Sequence, residues 1–253
     1  MGELSFGLQD KVVLITGGSR GIGLELARQF LAQGAKVAVC GRKQESLEAA
    51  LAELGPGPVL AQACHVAKED QVEALFAKVE STHGRLDILV NNVGMNLPSA
   101  SLADTELGLW HKIMDSNLTG GFLCSRAAAR LMRRQKAGKI ITVTSTAARR
   151  AAPAMGIYGI AKASLEMMTK VLASELAQFN VQVNAVAPGM VKTDFSKPFW
   201  GNPAMLDRIV AGIPLGRLAE TGDVVRPVLF LASPAADYVT GHTILVDGGA
   251  MAV

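Results

Sequence analysis

The stretch Thr16-Gly17-Gly18-Ser19-Arg20-Gly21-Ile22-Gly23 joins an apolar run, residues 11–16, to an amphipathic segment, residues 21–33. A short run rich in valine and isoleucine is typical of a buried strand, and apolar residues three or four positions apart indicate a helix. Glycines between a strand and a helix have no Cβ, so the backbone can approach a phosphate at the helix N-terminus. The stretch therefore predicts a strand, a phosphate-binding turn and a helix, an arrangement that binds dinucleotides.

The alternation of apolar and amphipathic segments continues along the whole chain. Apolar, β-rich runs predict seven strands, at residues 11–16, 36–40, 59–64, 86–90, 139–144, 181–187 and 243–246. Amphipathic segments predict helices at residues 21–33, 44–54, 69–83, 104–115, 118–135, 158–179 and 223–232. This alternation predicts an α/β fold with a doubly wound parallel sheet, helices on both faces and right-handed crossovers. No linker interrupts the pattern, so we expect a single domain over residues 1–253.

The composition argues against several classes of protein. Hydrophobic residues make up 49% of the chain and charged residues 19%, which supplies a large core and argues against disorder. A formal net charge of +3, with two Trp and two Tyr, is poorly suited to nucleic-acid binding. No apolar stretch is long enough to cross a bilayer, and residues 1–11 lack the pattern of a secretory leader. We therefore expect no nucleic-acid partner and no membrane association.

The cysteines and histidines bear on compartment and metal binding. Cys40, Cys64 and Cys124 are odd in number and widely spaced, which favours reduced thiols and a cytoplasmic location over a disulfide framework. The four histidines share no spacing typical of metal ligands. The sequence therefore predicts a cytoplasmic protein without a metal site.

The end of the second predicted strand bears on which dinucleotide binds. The residues there are Cys40-Gly41-Arg42-Lys43, with no aspartate or glutamate to accept the ribose 2′-hydroxyl of NAD. Arg20 and Arg42 are placed instead to bind a 2′-phosphate through charge-assisted hydrogen bonds. The alternative is that both arginines are solvated surface residues. Two cations at one predicted ribose site favour NADP(H).

Tyr158 and Lys162 stand four residues apart, and Ser145 precedes them at the end of a predicted strand. Positions four apart share a helix face, so the Lys162 ammonium can lie beside the Tyr158 phenol and lower its pKa. Lowering a phenol pKa from about 10 to about 7 takes roughly 4 kcal/mol. Two unit charges about 4 Å apart interact by about 4 kcal/mol at an effective dielectric near 20, less the free energy that burial of the lysine costs. The pair therefore predicts a tyrosine that exchanges a proton during hydride transfer.

Further motifs accompany this pair. Asn91-Asn92-Val93-Gly94 follows the fourth predicted strand, Asn117 lies between two predicted helices, and Val246-Asp247-Gly248-Gly249 lies near the C-terminus. Together with residues 16–23 and the Ser145, Tyr158 and Lys162 group, these motifs resemble those of the short-chain dehydrogenase/reductase family, over nearly the whole chain. The resemblance implies a Rossmann-type fold. It also implies a cofactor half at about residues 8–145 and a catalytic and substrate half at about residues 146–253.

The resemblance implies a role for each residue of the catalytic group. Ser145 would hydrogen-bond the substrate carbonyl, and Tyr158 would pass a proton to or from its oxygen. Lys162 would tune Tyr158 and hold the nicotinamide ribose, while Asn117 would fix a water that links Lys162 to solvent. The residues implied to bind the nucleotide are Gly17, Ser19, Arg20, Gly21, Ile22, Gly23, Arg42, His65, Val66, Asn92, Gly94, Tyr158, Lys162, Pro188, Gly189, Val191 and Thr193.

Three positions in these motifs deserve separate interpretation. His65-Val66 stands where the family usually has Asp-Val to hold the adenine, and Val93 replaces the usual alanine. We expect catalysis to tolerate both changes, although His65 alters the adenine contact. Asn91 we interpret as a polar residue that braces the sheet.

Residues 190–216 are expected to form a lid over the substrate. The apolar side chains of this lid and of the neighbouring segments include Phe195, Phe199, Trp200, Met95 and Met155. They favour a small hydrophobic ketone or secondary alcohol, with packing against the protein body as the alternative. Arg149 and Arg150 could attract a substrate carboxylate, although their placement on the surface is the favoured interpretation.

Three functions fit the sequence. The first is an NADP(H)-dependent oxidoreductase, a carbonyl reductase or alcohol dehydrogenase that acts on a small molecule. The second is a 3-oxoacyl-[acyl-carrier-protein] reductase of fatty-acid synthesis, and the third is a non-enzymatic dinucleotide sensor. A basic helix stripe could dock an acidic carrier protein, although a solvated or subunit-facing surface explains it better; it comprises Arg126, Arg130, Arg133 and Arg134. The resemblance also implies a homotetramer.

Overall fold

Seven parallel strands form one sheet through the middle of the protein. The computed structural model describes residues 5–97, 99, 101–152 and 154–252. The strands are β1 (Val12–Thr16), β2 (Lys36–Gly41), β3 (Val59–Ala63), β4 (Ile88–Asn91), β5 (Gly138–Val143), β6 (Val181–Pro188) and β7 (Thr243–Val246). Their order across the sheet is β3-β2-β1-β4-β5-β6-β7. The predicted single-domain α/β fold is confirmed.

Helices cover both faces of the sheet, because the strands are apolar on both sides. The described α-helices are α1 (Gly21–Ala32), α2 (Gln44–Leu54), α3 (Glu69–His83), α4 (Leu107–Met114), α5 (Gly120–Gln135), α6 (Gly156–Leu176), α7 (Lys197–Trp200), α8 (Pro203–Ala211) and α9 (Thr221–Ala232). Apolar side chains of α1, α2 and α9 pack into one buried cluster on one face. Those of α3, α5 and α6 pack into a second cluster on the other face. On each face, the packing of the helices against the sheet removes a continuous layer of apolar surface from water.

The order of the strands reverses beside β1, which pairs with both β2 and β4. The chain runs outward from β1 through β2 and β3, then returns to β4 on the opposite side. In open α/β sheets, such a reversal leaves a crevice at the carboxyl ends of the strands, where ligands bind. The glycine turn after β1 and the Asn91-Asn92 segment at the end of β4 therefore meet at one place.

Two segments differ from the sequence-based expectation. The helices expected at residues 104–115 and 118–135 are joined by a π-helical turn, Asp115–Thr119, so that the chain does not break between α4 and α5. The second segment, residues 190–216, contains α7 and α8. Asn202 caps α8 by accepting hydrogen bonds from the backbone nitrogens of Ala204 and Met205. Asn followed by Pro is a helix-start pattern that the sequence already displays.

The structure bears on three expectations from the sequence, which concern membrane crossing, metal binding and disulfide bonds. Within residues 5–97, 99, 101–152 and 154–252, none of the helices combines the length and apolar character that a bilayer crossing requires. The same residues hold no group of three or more His, Cys, Asp or Glu side chains arranged to bind a metal ion. Cys40, Cys64 and Cys124 are all buried and free.

Candidate active site

The glycine turn is shaped by positions where a side chain does not fit. Gly17 and Gly21 have φ angles of +68° and +56°, in the left-handed region that favours glycine. A Cβ on Gly23 would lie 2.2 Å from the carbonyl oxygen of Gly17, closer than any side chain can approach. The turn can therefore fold back onto the first turn of α1 only with glycine at position 23.

Asn92 and Thr16 hold the turn against β4. The Asn92 side-chain nitrogen donates to the carbonyl oxygens of Thr16 and Gly17, at 3.0 and 3.2 Å. The Thr16 hydroxyl accepts from the backbone nitrogens of Asn92 and Val93, at 3.0 and 3.3 Å. Asn92 thus positions the turn directly. Sequence reasoning did not single out Thr16, although it begins the glycine motif.

The N-terminus of α1 presents unpaired backbone donors. Arg20 occupies the N-cap position in an extended conformation, and its side chain makes no capping hydrogen bond. The first turn of α1 contains no acidic residue. Ser19 lies beside the end of β2, because a Cβ on Gly41 would lie 3.4 Å from the Ser19 hydroxyl oxygen. Free N–H groups and the positive end of the helix dipole make this end of α1 suited to a phosphate.

Two cations flank this helix end. Arg20 and Arg42 are both exposed, one in the turn and the other directly after β2. Within the described part of the chain, neither side chain forms a salt bridge or a hydrogen bond. Their charges are therefore free to act on an anionic ligand.

His65 fixes the chain directly after β3. Its backbone nitrogen donates to the Gln71 side-chain oxygen at 2.8 Å, and its ring Nδ1 accepts from the Ala67 backbone nitrogen at 3.3 Å. With Nδ1 engaged as an acceptor, the N–H of the ring lies on Nε2. The half-buried ring therefore has a donor left for a ligand, where an aspartate would offer an acceptor. Val66 beside it is buried against Gly120, whose Cβ would lie 2.5 Å from Val66 Cγ2.

Ser145, Tyr158 and Lys162 meet beyond the end of β5. The Ser145 hydroxyl oxygen accepts from the Ala147 backbone nitrogen at 3.1 Å, and the Ser145 side chain lies near enough to the Tyr158 hydroxyl to lower the pKa of the phenol. The Lys162 ammonium lies 5.5 Å from the centre of the Tyr158 ring and donates to the Val143 carbonyl oxygen at 2.9 Å. Tyr158 is 7% exposed and Lys162 only 2%. The i, i+4 spacing thus places both side chains on the buried face of α6 that was expected.

Burial decides the electrostatics of this pair. It raises the pKa of the Tyr158 phenol to about 12, while the nearby Ser145 hydroxyl acts in the opposite direction. It also lowers the pKa of the Lys162 ammonium to about 8. The attraction between the ammonium and a phenolate therefore acts against the desolvation of both groups.

Asn117 lies on the π-helical turn, and its side chain is used by the backbone. Its Nδ2 donates to the carbonyl oxygens of Met95 and Ile113, at 2.7 and 2.8 Å, and its Oδ1 accepts from the Met95 nitrogen at 3.2 Å. A Cβ on Gly94 would lie 3.6 Å from the Lys162 nitrogen and 3.7 Å from Asn117 Oδ1. Asn117 and Lys162 therefore border the same glycine, and no hydrogen bond joins them. That Asn117 fixes a water stays a prediction.

The segment after β6 reaches back over the crevice. The Gly189 nitrogen donates to the Val246 carbonyl oxygen at 2.9 Å, and Val191 forms a single parallel bridge with Ala219. Thr193 approaches the glycine turn, since its Cγ2 would lie 3.8 Å from a Cβ on Gly21. Pro188, the last residue of β6, starts this segment. The expected nicotinamide end thus lies across the crevice from the phosphate turn.

An apolar wall surrounds Tyr158. The Phe195 ring centre lies 6.4 Å from that of Tyr158, and Phe195 is 43% exposed. Apolar side chains packed with Tyr158 on the other sides include Met95, Leu97, Trp110, Met114 and Met155. Trp200 faces a different group, because its indole nitrogen donates to the Ser196 hydroxyl at 2.9 Å. The surroundings of the phenol are therefore mostly aliphatic, sulfur-containing and aromatic.

Comparison with known proteins places this geometry in a family. A family model described as enoyl-(acyl carrier protein) reductase matches residues 17–251. Dehydrogenase/reductase SDR family member 4 of Bos taurus is 38% identical over 246 residues, covering 96% of this chain and 88% of that protein. The 3-oxoacyl-[acyl-carrier-protein] reductase of Synechocystis sp. is 39% identical over 246 residues, covering 96% and 97%. The chain belongs to the short-chain dehydrogenase/reductase family.

A solved structure extends the comparison to the fold of this short-chain dehydrogenase/reductase. The structure of a short-chain type dehydrogenase/reductase from Mycobacterium ulcerans superposes with a TM-score of 0.94 at 31% identity. The superposition covers 98% of this chain and 92% of that one. The two chains therefore share the same overall fold.

The basic stripe of this short-chain dehydrogenase/reductase faces acidic side chains of its own chain. Arg126 pairs with Glu69, Arg130 with Glu73 at 3.8 Å and Arg134 with Glu80 at 2.7 Å. The remaining arginine, Arg133, lies over the Phe179 ring at 5.2 Å. The pairs join α5 to α3, an arrangement that the sequence interpretation as a solvated or subunit-facing stripe did not include. A row of exposed ion pairs adds little to the free energy of unfolding, yet it neutralises most of the positive charge of the stripe.

Two further polar residues are accounted for within the protein. Arg149 donates to the Glu166 carboxylate at 3.1 and 3.3 Å, so it is not free to bind a substrate carboxylate. Asn91 donates to the Ser125 hydroxyl at 2.8 Å, which joins β4 to α5. The interpretation of Asn91 as a brace therefore agrees with its contact.

Proposed function

We propose that this protein is an NADP(H)-dependent oxidoreductase that transfers a hydride between the nicotinamide and a ketone or secondary alcohol of a small hydrophobic substrate. The observation that carries the proposal is the buried Tyr158 side chain, which lies beside Ser145 and the buried Lys162 at the same end of the sheet as the glycine turn. A proton carrier and a phosphate-binding turn at one edge suit carbonyl reduction.

The shape of the glycine turn fits a dinucleotide. Gly17, Gly21 and Gly23 leave the backbone bare, and the uncapped start of α1 offers N–H groups to a pyrophosphate. Gly94 leaves open the space next to Lys162, which would hold the nicotinamide ribose. The other residues proposed to line the site are Ser19, Ile22, Val66, Asn92, Pro188, Gly189, Val191 and Thr193. When bound, the nicotinamide supplies or accepts the hydride.

The catalytic residues would divide the proton transfer among them. Ser145 accepts a hydrogen bond from Ala147, which fixes its hydroxyl so that it can donate to the substrate carbonyl oxygen. Tyr158, neutral because burial raises the pKa of its phenol, can then donate its proton to the same oxygen. An ammonium about 5 Å from the resulting phenolate oxygen would stabilise it by about 3 kcal/mol at an effective dielectric near 20. In the oxidative direction, the phenolate would take the proton from the alcohol.

The choice of NADP(H) rests on Arg20 and Arg42. Both are exposed beside the predicted ribose site, and neither is paired with an acid in the part of the chain that the structure describes. A 2′-phosphate would give each guanidinium a charge-assisted partner, worth about 1.5–3 kcal/mol per hydrogen bond. The adenosine ribose of NAD carries a 2′-hydroxyl and lacks this phosphate. His65 would contribute a ring N–H toward the adenine, in place of the carboxylate common in the family.

The substrate class is inferred from the wall around Tyr158. Phe195, Met95 and Met155 present apolar atoms toward the phenol, and Arg149 is bound to Glu166. A charged substrate would lose hydration there without gaining a partner, whereas an apolar ketone would not. We therefore place the lid at residues 190–216, with Phe195 as its contact to the reacting group.

A 3-oxoacyl-[acyl-carrier-protein] reductase is the second candidate, because the Synechocystis relative at 39% identity has that name. The internal pairing of Arg126, Arg130 and Arg134 weakens it, since those charges are already matched by Glu69, Glu73 and Glu80. A sensor without catalysis is disfavoured, because it has no use for the Ser145, Tyr158 and Lys162 arrangement. A spectrophotometric screen of ketones, keto acids and oxoacyl thioesters with NADPH and NADH distinguishes these functions. Oxidation of neither nucleotide by any substrate class would refute the enzymatic proposal.

The cytoplasmic location and homotetramer are proposed on independent grounds. Three free, buried thiols are typical of a reducing compartment. Phe122 on α5 is 45% exposed, and Met167 and Val171 on α6 are 59% and 46% exposed, which is a large amount of apolar surface for two adjacent helices. Sedimentation of the purified protein would test the tetramer, and a monomer would refute it.

A further inference from the structure

One carboxylate on α6 contacts the segment that carries Ser145, and the proposed mechanism assigns it no role. The Glu166 carboxylate accepts from the Arg149 Nε at 3.1 and 3.3 Å. Its Oε1 also accepts from the Thr144 hydroxyl at 3.4 Å. Thr144 directly precedes Ser145, and Arg149 follows the single-turn 3₁₀ helix Thr146–Ala148. Glu166 therefore binds the chain on both sides of the proposed catalytic serine.

The same face of α6 carries Glu166 and the other proposed catalytic side chains. Glu166 lies four residues after Lys162 and eight after Tyr158, and positions four apart on a helix are neighbours. The 3₁₀ helix also touches the backbone of α6, because a Cβ on Gly159 would lie 2.7 Å from the Ala147 carbonyl oxygen. The segment that carries the serine is thus packed against the helix that carries the tyrosine.

The Glu166 carboxylate is largely removed from water, so it depends on donors from the protein. The Glu166 side chain is 14% exposed and that of Arg149 36%, while Thr144 is buried. The Thr144 hydroxyl has one proton, which it shares between Glu166 and the Val186 carbonyl oxygen, 3.2 Å away. Arg149 is the charged donor and contacts both carboxylate oxygens, so its contact with Glu166 is the stronger one.

The two sides of Ser145 are held to different degrees without Glu166. Before the serine, the Thr144 backbone nitrogen donates to a carbonyl oxygen of β6 at 2.8 Å, which continues the pairing of the sheet. After it, the Ala148 and Arg149 nitrogens donate to carbonyl oxygens within the 3₁₀ helix and its cap, each at 3.0 Å. The Ala147 nitrogen, which donates to the Ser145 hydroxyl oxygen, belongs to this second side. Loss of the Arg149 contact would therefore loosen the side that orients the hydroxyl.

We propose that Glu166 is a positioning residue for Ser145, and that its contact with Arg149 holds the 3₁₀ helix whose N–H group orients the serine hydroxyl. This inference rests on the proposed function, in which Ser145 donates to the substrate carbonyl oxygen. Removal of a well-placed donor to a reacting oxygen lowers kcat by about 10²–10³. In Glu166→Gln the donor is displaced and not removed, so we expect kcat to fall about tenfold. The NADPH dissociation constant should stay within about twofold, because the glycine turn lies on a different strand.

A pair of variants separates an effect of position from an effect of charge. Glu166→Gln leaves an excess of positive charge near the Tyr158 phenol, whereas Arg149→Met leaves an excess of negative charge. If charge alone mattered, the two variants would change kcat in opposite directions. Loss of position lowers kcat in both, and the double variant should be no slower than the slower single one, because both break the same contact. Opposite changes, or losses that multiply in the double variant, would overturn the proposal.

The Ser145→Ala background separates positioning from a general loss of packing. Once the hydroxyl is absent, Glu166 has nothing left to orient, so adding Glu166→Gln should change kcat by less than about twofold. A further loss of about tenfold in that background would overturn the proposal. Glu175→Gln is the matched control, since Glu175 is exposed near the end of the same helix and should leave kcat unchanged in either background.

Hydrogen exchange followed by mass spectrometry tests the anchoring without any substrate. In Glu166→Gln, the amides of residues 144–149 should exchange at least about threefold faster, while those of residues 17–23 keep their rates. Unchanged exchange at residues 144–149 would overturn the anchoring, and faster exchange with unchanged kcat would overturn the role in catalysis. If the wild-type protein oxidises neither NADPH nor NADH with any substrate, the proposed function fails, whereas the exchange result still decides whether Glu166 holds this segment.

Discussion

Lys162 should cost the protein stability while it supports catalysis, and Lys162→Met tests both effects. Burial lowers the pKa of this lysine from 10.5 to about 8. Because the pKa of Lys162 in the folded chain lies below the unfolded value, keeping this lysine protonated in the folded chain costs free energy at every pH below about 8. The cost amounts to about 3 kcal/mol there, and it fades as the pH rises toward 10.5.

Methionine keeps much of the length of lysine and removes the charge. The substitution also removes the hydrogen bond to the Val143 carbonyl oxygen, which we take as about 1–2 kcal/mol. We therefore expect Lys162→Met to raise the free energy of unfolding by about 1–2 kcal/mol at pH 7. Near pH 10.5 the protonation cost has gone, and the variant should be less stable than the wild type by the value of the lost hydrogen bond.

Activity should change in the opposite direction at pH 7. The ammonium lies beside the Tyr158 ring, 5.5 Å from its centre. A unit charge about 5 Å from a phenolate oxygen stabilises it by about 3 kcal/mol at an effective dielectric near 20, which is roughly a hundredfold in kcat. Urea unfolding at pH 7 and near pH 10.5, with kcat measured at pH 7, gives all three values. Lys170→Met is a matched control, since Lys170 is exposed on the same helix and should change stability by less than about 0.5 kcal/mol. A variant that is less stable at both pH values, or that keeps full kcat, would refute this reasoning.

Three further substitutions test the site. Tyr158→Phe should lower kcat by at least about a thousandfold and leave the NADPH dissociation constant within about twofold; unchanged turnover would exclude the proton-transfer role. Arg42→Ala should weaken NADPH at least about tenfold by titration and barely affect NADH, so equal losses would contradict the 2′-phosphate assignment. Gly23→Ala should abolish nucleotide binding, because its Cβ would lie 2.2 Å from the Gly17 carbonyl oxygen. Gly222→Ala is its control, since nothing lies within 4 Å of a Cβ there, and loss of binding in both variants would count against the fit argument.

The central strands β1 and β4 were predictable because they are buried throughout and mostly apolar, whereas the edge strands β3 and β7 are only partly buried and were predicted from short apolar runs. The π-helical turn at Asp115–Thr119 was not, since one widened turn leaves no periodic trace in a pattern of apolar residues. The turn carries the Asn117 side chain to the Met95 backbone, within the proposed site. Helix α8 was predictable in principle from Asn202 followed by Pro203, a signal that the glycine and proline content around it obscured.

The proposed catalytic group was predicted from residue spacing and family resemblance, whereas the effect of burial on its pKa values was not. Spacing specifies that Tyr158 and Lys162 share a helix face, but it does not specify how much water reaches them. Both proved to be almost fully buried, so desolvation acts against the charged form of each. The arginine stripe shows the same limit. A stripe on α5 can be read from sequence, whereas its pairing with Glu69, Glu73 and Glu80 depends on how α3 packs beside it.

The family can be identified from the buried, rigid residues of the site, whereas the substrate depends on a more exposed segment and has to be found by screening. Ser145, Tyr158 and Lys162 lie on β5 and α6 or directly beside them, where buried packing fixes their geometry. Phe195 lies in a segment of short helices and is 43% exposed, so substitutions there change the wall without disturbing the sheet. Relatives at 38% and 39% identity accordingly have different names. Exchange of residues 190–216 for the corresponding segment of one relative should therefore change the substrate preference. The NADPH affinity should stay within about threefold, because the shared fold supports the reaction and the proposed lid determines which substrate binds.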